Sequence, residues 1–377
     1  MFQKTLLYIS FFLLQTVVVK AQHSKPFCIT GYYAGPADRL DNFPVEKLTH
    51  LVYSFGHLKG NHLHFGHAND TACIRKMVGY KEKNPGLKII LSLGGWGGCS
   101  TCSSVFSTVA GRNNFALSVR KSLLYFKADG IDLDWEYPAI PGYPDHPFKP
   151  ADKNSFTQLI GTLRKVLGKK YEISFAAGGF DEFLDSSVDW KPVMRNADKV
   201  YIMSYDLVHG NSTVSGHHTP LYSTLRQKQS TDNAVSRLLE KGVPSEKIVI
   251  GAAFYARMFR VEDSIDNGLY RSCFFYRGVS YAQLYDSIAA AKGFTQYWDE
   301  TAKAPYAFNP QRKILVTYDD SISVKLKTQY AMDRNLGGIM FWQLADDKFR
   351  DGLLEVISKQ SGSLAVLQSC RRYLAGR

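Results

Sequence analysis

Beyond its N-terminal stretch the sequence has no apolar run approaching the length of about 20 residues needed to cross a bilayer. It has no internal repeat and no Pro/Ser-rich linker. No Lys/Arg run stands beside aromatic residues as a strand-tracking nucleic-acid groove requires. Cysteine is scarce, six in 377 residues, and no second Cys pair stands at zinc spacing from Cys99 and Cys102. Tryptophan occurs five times, against 22 Tyr and 23 Phe. These absences argue against a repeat protein, a zinc-stabilised module and a nucleic-acid partner. What is there is ordinary globular composition, 45% apolar and 21% charged with 30 Gly and 14 Pro. The length suits two average domains or one large barrel.

Lys4 precedes an uncharged apolar run from Leu6 to Val19, and Val19 and Ala21 stand where a signal peptidase takes small residues. Residues 1–21 are therefore expected to be a cleaved signal peptide rather than a membrane anchor, which makes the mature chain secreted, extracellular or periplasmic. Losing Lys4 and Lys20 lowers the formal charge from +12 to +10, still basic but with the charges scattered. The mature chain is expected to be a monomer with no membrane or nucleic-acid partner. Export permits disulfides among Cys28, Cys73, Cys99, Cys102, Cys273 and Cys370. Cys99 and Cys102 are close enough for a local bridge, while the other pairings stay open. A thioredoxin-like redox pair needs a helix behind the motif, and the preceding Gly94-Gly-Trp-Gly-Gly98 argues against one.

Short apolar runs alternate with amphipathic segments. Strands are expected at Phe27–Ala34, Thr49–Phe55, Leu87–Leu93, Gly130–Glu136, Tyr171–Ala177, Lys199–Tyr205, Ile248–Tyr255 and Gly338–Gln343. Phe156, Leu159, Ile160, Leu163 and Leu167 mark one face of an intervening helix. Eight such alternations predict an α/β fold, a (β/α)8 TIM barrel. The gap between the last two strands is too long for one helix, so residues 260–325 are expected to form an inserted α+β lobe between strands 7 and 8, on the catalytic face. The catalytic domain then spans 22–360, with 361–377 as a C-terminal tail of no assigned role.

The stretch Asp129-Gly-Ile-Asp132-Leu-Asp134-Trp-Glu136-Tyr137-Pro138 carries the chemistry. Asp132, Asp134 and Glu136 recur at period two and face one side of a strand, while Ile131, Leu133 and Trp135 face the other. In a barrel the acids point inward, with Glu136 nearest the mouth where such barrels react. Three carboxylates so placed cannot all ionise at neutral pH without cations. Either a shared proton raises one pKa, as a general acid requires, or a divalent metal neutralises the acids; no nearby His stands at ligand spacing, which favours the proton.

This stretch resembles the fourth-strand signature of glycoside hydrolase family 18, the chitinases and their relatives. Leu91-Ser-Leu-Gly-Gly-Trp96 resembles the family's third-strand motif, Met203-Ser-Tyr-Asp206 its sixth, Gly216-His-His-Thr-Pro-Leu-Tyr222 the loop that follows, and Gly338-Ile-Met-Phe-Trp342 its eighth strand. The resemblance covers roughly residues 27–358 and includes the chitinase-insertion subgroup's lobe. One departure is Tyr255-Ala256-Arg257, where Tyr-Gly-Arg is usual. The resemblance implies a cofactor-free retaining chitinase that cleaves β-1,4 bonds between N-acetylglucosamine units of chitin or chitooligosaccharides. It implies substrate-assisted catalysis in place of a second carboxylate nucleophile. Glu136 would be the acid, Asp134 would hold the acetamido N–H, Asp132 would share a proton with Asp134, and Tyr205 would donate to the acetamido oxygen. Trp342 would form the floor of the sugar site and Trp96 its leaving-group side. Tyr32, Phe55, Tyr137, Met203, Asp206, Tyr255, Arg257 and Trp298 would complete the sugar contacts. Alternatives are an endo-β-N-acetylglucosaminidase acting on N-glycans or peptidoglycan, and a non-catalytic lectin, a state usually marked by loss of the acid that Glu136 supplies.

Three further features are discounted. His62, His64 and His67 alternate like ligands but lie far from the acids in sequence, so no metal site is expected. The glycines at 94–98 lack the Lys-Ser/Thr of a phosphate loop. Asn69-Asp-Thr71 and Asn211-Ser-Thr213 are glycosylation sequons that matter only in a eukaryotic source.

Overall fold

The computed structural model describes residues 27–362, apart from His67 and Tyr143. The expected signal peptide, Cys370 and the tail from 363 onward lie outside the described residues. In chain order the strands are β1 (Cys28–Tyr33), β2 (His50–Lys59), β3 (His62–His64), β4 (Lys88–Gly94), β5 (Gly130–Asp134), β6 (Glu172–Gly178), β7 (Lys199–Met203), β8 (Ile248–Ala253), β9 (Tyr255–Val261), β10 (Cys273–Ser280), β11 (Thr295–Asp299), β12 (Ala304–Asn309), β13 (Ile314–Thr317) and β14 (Gly338–Trp342).

Eight of them run parallel in the order β1-β2-β4-β5-β6-β7-β8-β14, and β14 pairs with β1 to close a (β/α)8 barrel. The short β3 only extends β2 as a hairpin. Alternation along the strands sorts side chains into two layers. Ile131, Leu133 and Trp135 face outward into the main core, where the helix Asp152–Leu167 buries Phe156, Leu159, Ile160, Leu163 and Leu167. Tyr32, Val52, Ile90, Tyr201, Val249 and Met340 fill the interior. Strands β5, β7 and β8 end two residues earlier than their sequences predict, with Glu136, Tyr205 and Tyr255 just beyond them. The ladder stops where these side chains turn into the mouth.

Between β8 and β14 the chain builds a second, antiparallel sheet in the order β10-β9-β13-β12-β11, with the helix Tyr281–Ser287 packed on β9 and β10. It begins at Tyr255, with one residue between it and β8. Phe254 between them donates its N–H to Trp342 O (2.8 Å) and stacks on Phe341 at 4.0 Å. The following helix, Ser321–Asp333, packs on β8 and β14 as part of the barrel wall.

Cys99 and Cys102 form a disulfide with Cα atoms 5.1 Å apart, and Cys28, Cys73 and Cys273 are free thiols. Contrary to the reading of the glycine run, a five-residue helix, Cys102–Phe106, does start at the second cysteine. The glycines turn the chain out of β4 at positive φ, Gly94 at 111° and Gly95 at 82°, and so let it fold back into that helix. The bridge is nonetheless buried, which keeps it from redox partners.

At the opposite end of the barrel Glu172 is the hub of a buried ionic floor. It accepts from Lys199 Nζ (2.7 Å), Lys88 Nζ (2.8 Å) and His50 Nε2 (3.3 Å). Burial alone would raise its pKa, but the surrounding cations hold the carboxyl far below the usual range. Its stabilising contribution is therefore complete above the ordinary Glu pKa of about 4.3 and is lost as pH falls below it. Glu172→Gln leaves the largely buried Lys199 ammonium uncompensated and is expected to cost about 3 kcal/mol at pH 7. Urea unfolding should show that deficit at pH 7 and a smaller one at pH 3.

Candidate active site

β5 delivers three carboxyl groups in series up the barrel axis. Asp132 is fully buried and accepts from Tyr32 Oη (3.0 Å) and Ser92 Oγ (2.8 Å) at Oδ2 and from Ser174 Oγ (2.8 Å) at Oδ1. Burial still outweighs these three donors and raises its pKa to about 6. Asp134 is buried one step higher, and its Oδ1 has no hydrogen-bond partner. Burial and the charges of Glu136 and Asp132 push it well above the usual carboxylate range. Glu136 sits half-buried at the mouth, raised to about 7 by burial and by the Asp206 charge, while the Tyr137 hydroxyl partly opposes the rise. Asp134 and Glu136 together thus hold a proton at neutral pH. The polar partners of Asp132 are the three hydroxyls, and no hydrogen bond joins it to Asp134.

Close approach of the neighbouring strands makes room for this column. A Cβ on Gly94 would lie 2.3 Å from Asp134 O, and one on Gly95 would lie 2.5 Å from the Phe55 ring. Gly251 does the same for Tyr205, whose ring would meet a Cβ there at 2.8 Å. Burial and the Asp134 and Glu136 charges push the Tyr205 phenol up, so it remains a donor.

Asp206 follows at φ 54° and is gripped by Arg257 from β9, with Nε to Oδ1 at 2.7 Å and Nη2 to Oδ2 at 2.5 Å. His218 Nδ1 stands 3.5 Å from the same Oδ1. These partners overcome burial and hold the Asp206 carboxyl well below its ordinary range. The guanidinium lies over Tyr255 (5.0 Å) and Phe275 (5.5 Å). Across the mouth Trp342 is stacked on Phe55, with centroids 5.5 Å apart and planes 15° apart, and touches Tyr32 at 6.1 Å. Trp96 is 65% exposed at the mouth.

A cleft of about 1300 Å³ joins these groups. Tyr32, Phe55, Trp96, Asp134, Glu136, Tyr137, Met203, Tyr205, Asp206, Tyr255, Arg257 and Trp342 all line it, and Asp132 lies directly behind. Trp298 does not belong. It stands on β11, the edge of the second sheet farthest from β10, and interacts with Glu300, because the sheet presents β9 and β10 to the cleft instead. Residues that the sequence reading did not assign include Phe275, Phe180, His209, Arg39 and Asp346 on the lining, and His218 behind it. Only His218 had a signal, its place in the motif after strand 6. The Asn211 sequon is exposed on the rim, and the Asn69 sequon lies on the exposed first turn of a helix. His62 and His64 are exposed on β3, and His67 is outside the described residues.

The Glycosyl hydrolases family 18 model matches residues 28–347. Chitinase A1 of Niallia circulans is 32% identical over 299 residues, 73% of this chain but 43% of that protein, so the chain spans less than half of that relative's length. Chitotriosidase-1 of Mus musculus is 31% identical over 326 residues, 80% of this chain and 68% of that one. A solved glycoside hydrolase family 18 N-acetylglucosaminidase from Paenibacillus barengoltzii superposes with a TM-score of 0.80 at 34% identity, covering 89% of this chain and 99% of that one.

The proton held between Asp134 and Glu136 is measurable without any substrate. Glu136→Gln removes a neighbouring negative charge and should lower the Asp134 pKa from its position well above the ordinary carboxylate range. Carboxyl 13C NMR titration of both proteins checks the shift, and an unmoved or raised Asp134 would contradict the coupling.

Proposed function

We propose, for a chain that belongs to the glycosyl hydrolases of family 18, that its reaction is retaining hydrolysis of β-1,4 bonds between N-acetylglucosamine units, with chitin or its oligomers as substrate. The observation that carries this reading is the carboxyl of Glu136, raised to about 7 at the mouth above a buried Asp134 whose Oδ1 lacks a partner. A general acid needs the first property, and a group that will receive an N–H needs the second.

Glu136 gives its proton to the glycosidic oxygen. The carbonyl oxygen of the substrate's own 2-acetamido group attacks C1 as the leaving-group bond breaks, forming an oxazolinium. Asp134 accepts the acetamido N–H and offsets the positive charge. Tyr205 donates to the acetamido oxygen and fixes its line of attack. Glu136, now a carboxylate, takes a proton from water, which attacks C1 and reopens the ring. Two displacements at C1 retain the anomeric configuration. Trp342 and Phe55 supply a flat floor for the distorted sugar, Trp96 receives the leaving-group side, and the Asp206–Arg257 pair meets sugar hydroxyls.

A second reading, release of single N-acetylglucosamine units, draws on the Paenibacillus barengoltzii N-acetylglucosaminidase likeness. We further propose that the chain is exported, a reading supported by the apolar run 6–19 and by the Cys99–Cys102 disulfide.

The decisive test is cleavage of the N-acetylglucosamine hexamer with anomers resolved. Oligomers bearing the β-anomer at the new reducing end are expected. Single-sugar release alone favours the second reading, and tight binding without cleavage defeats the enzymatic one. Glu136→Gln should retain hexamer binding and lose roughly 10²–10⁴-fold in kcat. Because Glu136 must start protonated, kcat/KM should fall as pH rises through about 7. A flat profile between pH 6 and 9 would remove Glu136 from the acid role.

A further inference from the structure

Behind the cleft, on the helix Ser321–Asp333, Lys327 is 0% exposed. Its Nζ donates to Thr219 O (2.8 Å), Thr219 Oγ1 (2.5 Å) and Asp319 Oδ2 (2.7 Å). Asp319 is 1% exposed, and the same Oδ2 accepts from Ala253 N at the end of β8 (3.0 Å), while Oδ1 accepts from Ser323 Oγ (2.7 Å). Thr219 Oγ1 lies 3.2 Å from Ser204 O. Ser204 Oγ in turn donates to Gly251 O (3.0 Å) and accepts from Gly251 N (3.1 Å). None of these side chains reaches the cleft.

The neighbours in sequence give the network its meaning. Ser204 is followed by Tyr205 and Asp206. Thr219 is preceded by His218, the residue beside Asp206. Ala253 leads through Phe254 into the strand that carries Tyr255 and Arg257. The ammonium holds Thr219 directly, and through Asp319 and the Thr219 hydroxyl it is linked to the backbone at Ala253 and Ser204, segments that adjoin the phenol and the ion pair of the site. Stability alone is a poor reason for such an arrangement. Taking two charges out of water costs several kcal/mol per ion, and well-packed apolar residues of similar volume often stabilise as well or better. An ion pair with directional hydrogen bonds does what an apolar plug cannot, which is to fix particular backbone groups in place.

We infer that Lys327 and Asp319 are positioning residues that hold Tyr205, through Thr219 and Ser204, at the place where it meets the acetamido oxygen. The inference rests on the hydrolase reading above. It predicts that the pair acts on turnover more than on substrate affinity, and that its effect passes through Tyr205.

The test uses the double variant Lys327→Met/Asp319→Asn, which removes both charges and so leaves no uncompensated ion in the core. Its kcat on the N-acetylglucosamine hexamer should fall at least tenfold, with KM within threefold of the parent and the thermal midpoint still above the assay temperature. Adding Tyr205→Phe should cause little further loss beyond that of Tyr205→Phe alone, since coupled residues are not additive. A folded double variant with parental kcat, or a Tyr205→Phe loss that multiplies in full, overturns the inference while leaving the hydrolase reading intact. A parent protein that neither binds nor cleaves the hexamer overturns both. If the double variant does not fold, Thr219→Val removes the hydroxyl link and leaves the ion pair in place. A several-fold lower kcat, again non-additive with Tyr205→Phe, supports the inference, and an unchanged kcat rejects it.

Discussion

Acidity crowded onto the inward face of one strand is the constraint from which the site follows. Asp132, Asp134 and Glu136 share a low-dielectric column in which full ionisation is prohibitively unfavourable. The surroundings resolve the conflict differently at each level. Deepest, Asp132 is ringed by the hydroxyls of Tyr32, Ser92 and Ser174 on β1, β4 and β6. In the middle, Asp134 has an oxygen without a partner. At the top, Glu136 keeps its proton close to neutral pH. Asp206, the fourth acid, would add to the crowding, and it is instead locked in its charged form by Arg257. The result is a column whose protonation is set level by level, by the donors and charges each acid can reach.

Two sheets share this work. The barrel supplies the acids, the phenol and the Trp342 floor. The antiparallel sheet supplies Arg257, Tyr255 and Phe275, which form one wall and neutralise a barrel carboxylate. The sheets meet at Phe254, whose ring stacks on Phe341 and whose N–H is bonded to the carbonyl of Trp342. The wall and the floor are thus joined at Phe254 and again by the Arg257–Asp206 pair, so the cleft's width depends on both sheets together.

The barrel was legible because each strand is a compact apolar run between helical patterns, and because the helix face from Phe156 to Leu167 has an unambiguous period. The acid column was legible because period two on a strand forces Asp132, Asp134 and Glu136 to one side. Side chains that depend on long-range geometry were not. Trp298 reads as one more aromatic near a sugar site, yet its strand is at the far edge of its sheet, and strand order within an insertion has no local signature. Phe275 faces the cleft because a register shift between Phe275 and Arg277 re-aims its strand against β9. The helix at Cys102 was hidden by glycines that usually signal a loop. Lys327 and Asp319 look like ordinary surface charges in sequence, because nothing local announces that both will be buried.

The closing strand β14 has a further meaning. Its pairing with β1 joins the barrel's two ends, and its last residue is Trp342, the ring stacked on Phe55. The acids lie on β5 and just beyond its end, some two hundred residues earlier in the chain. A chain interrupted before 338 would possess every carboxyl group and neither the floor nor the closed wall. A segment some two hundred residues from the acids thus supplies both the closure of the barrel and the ring across the mouth from them, so the site is a product of chain ends brought together.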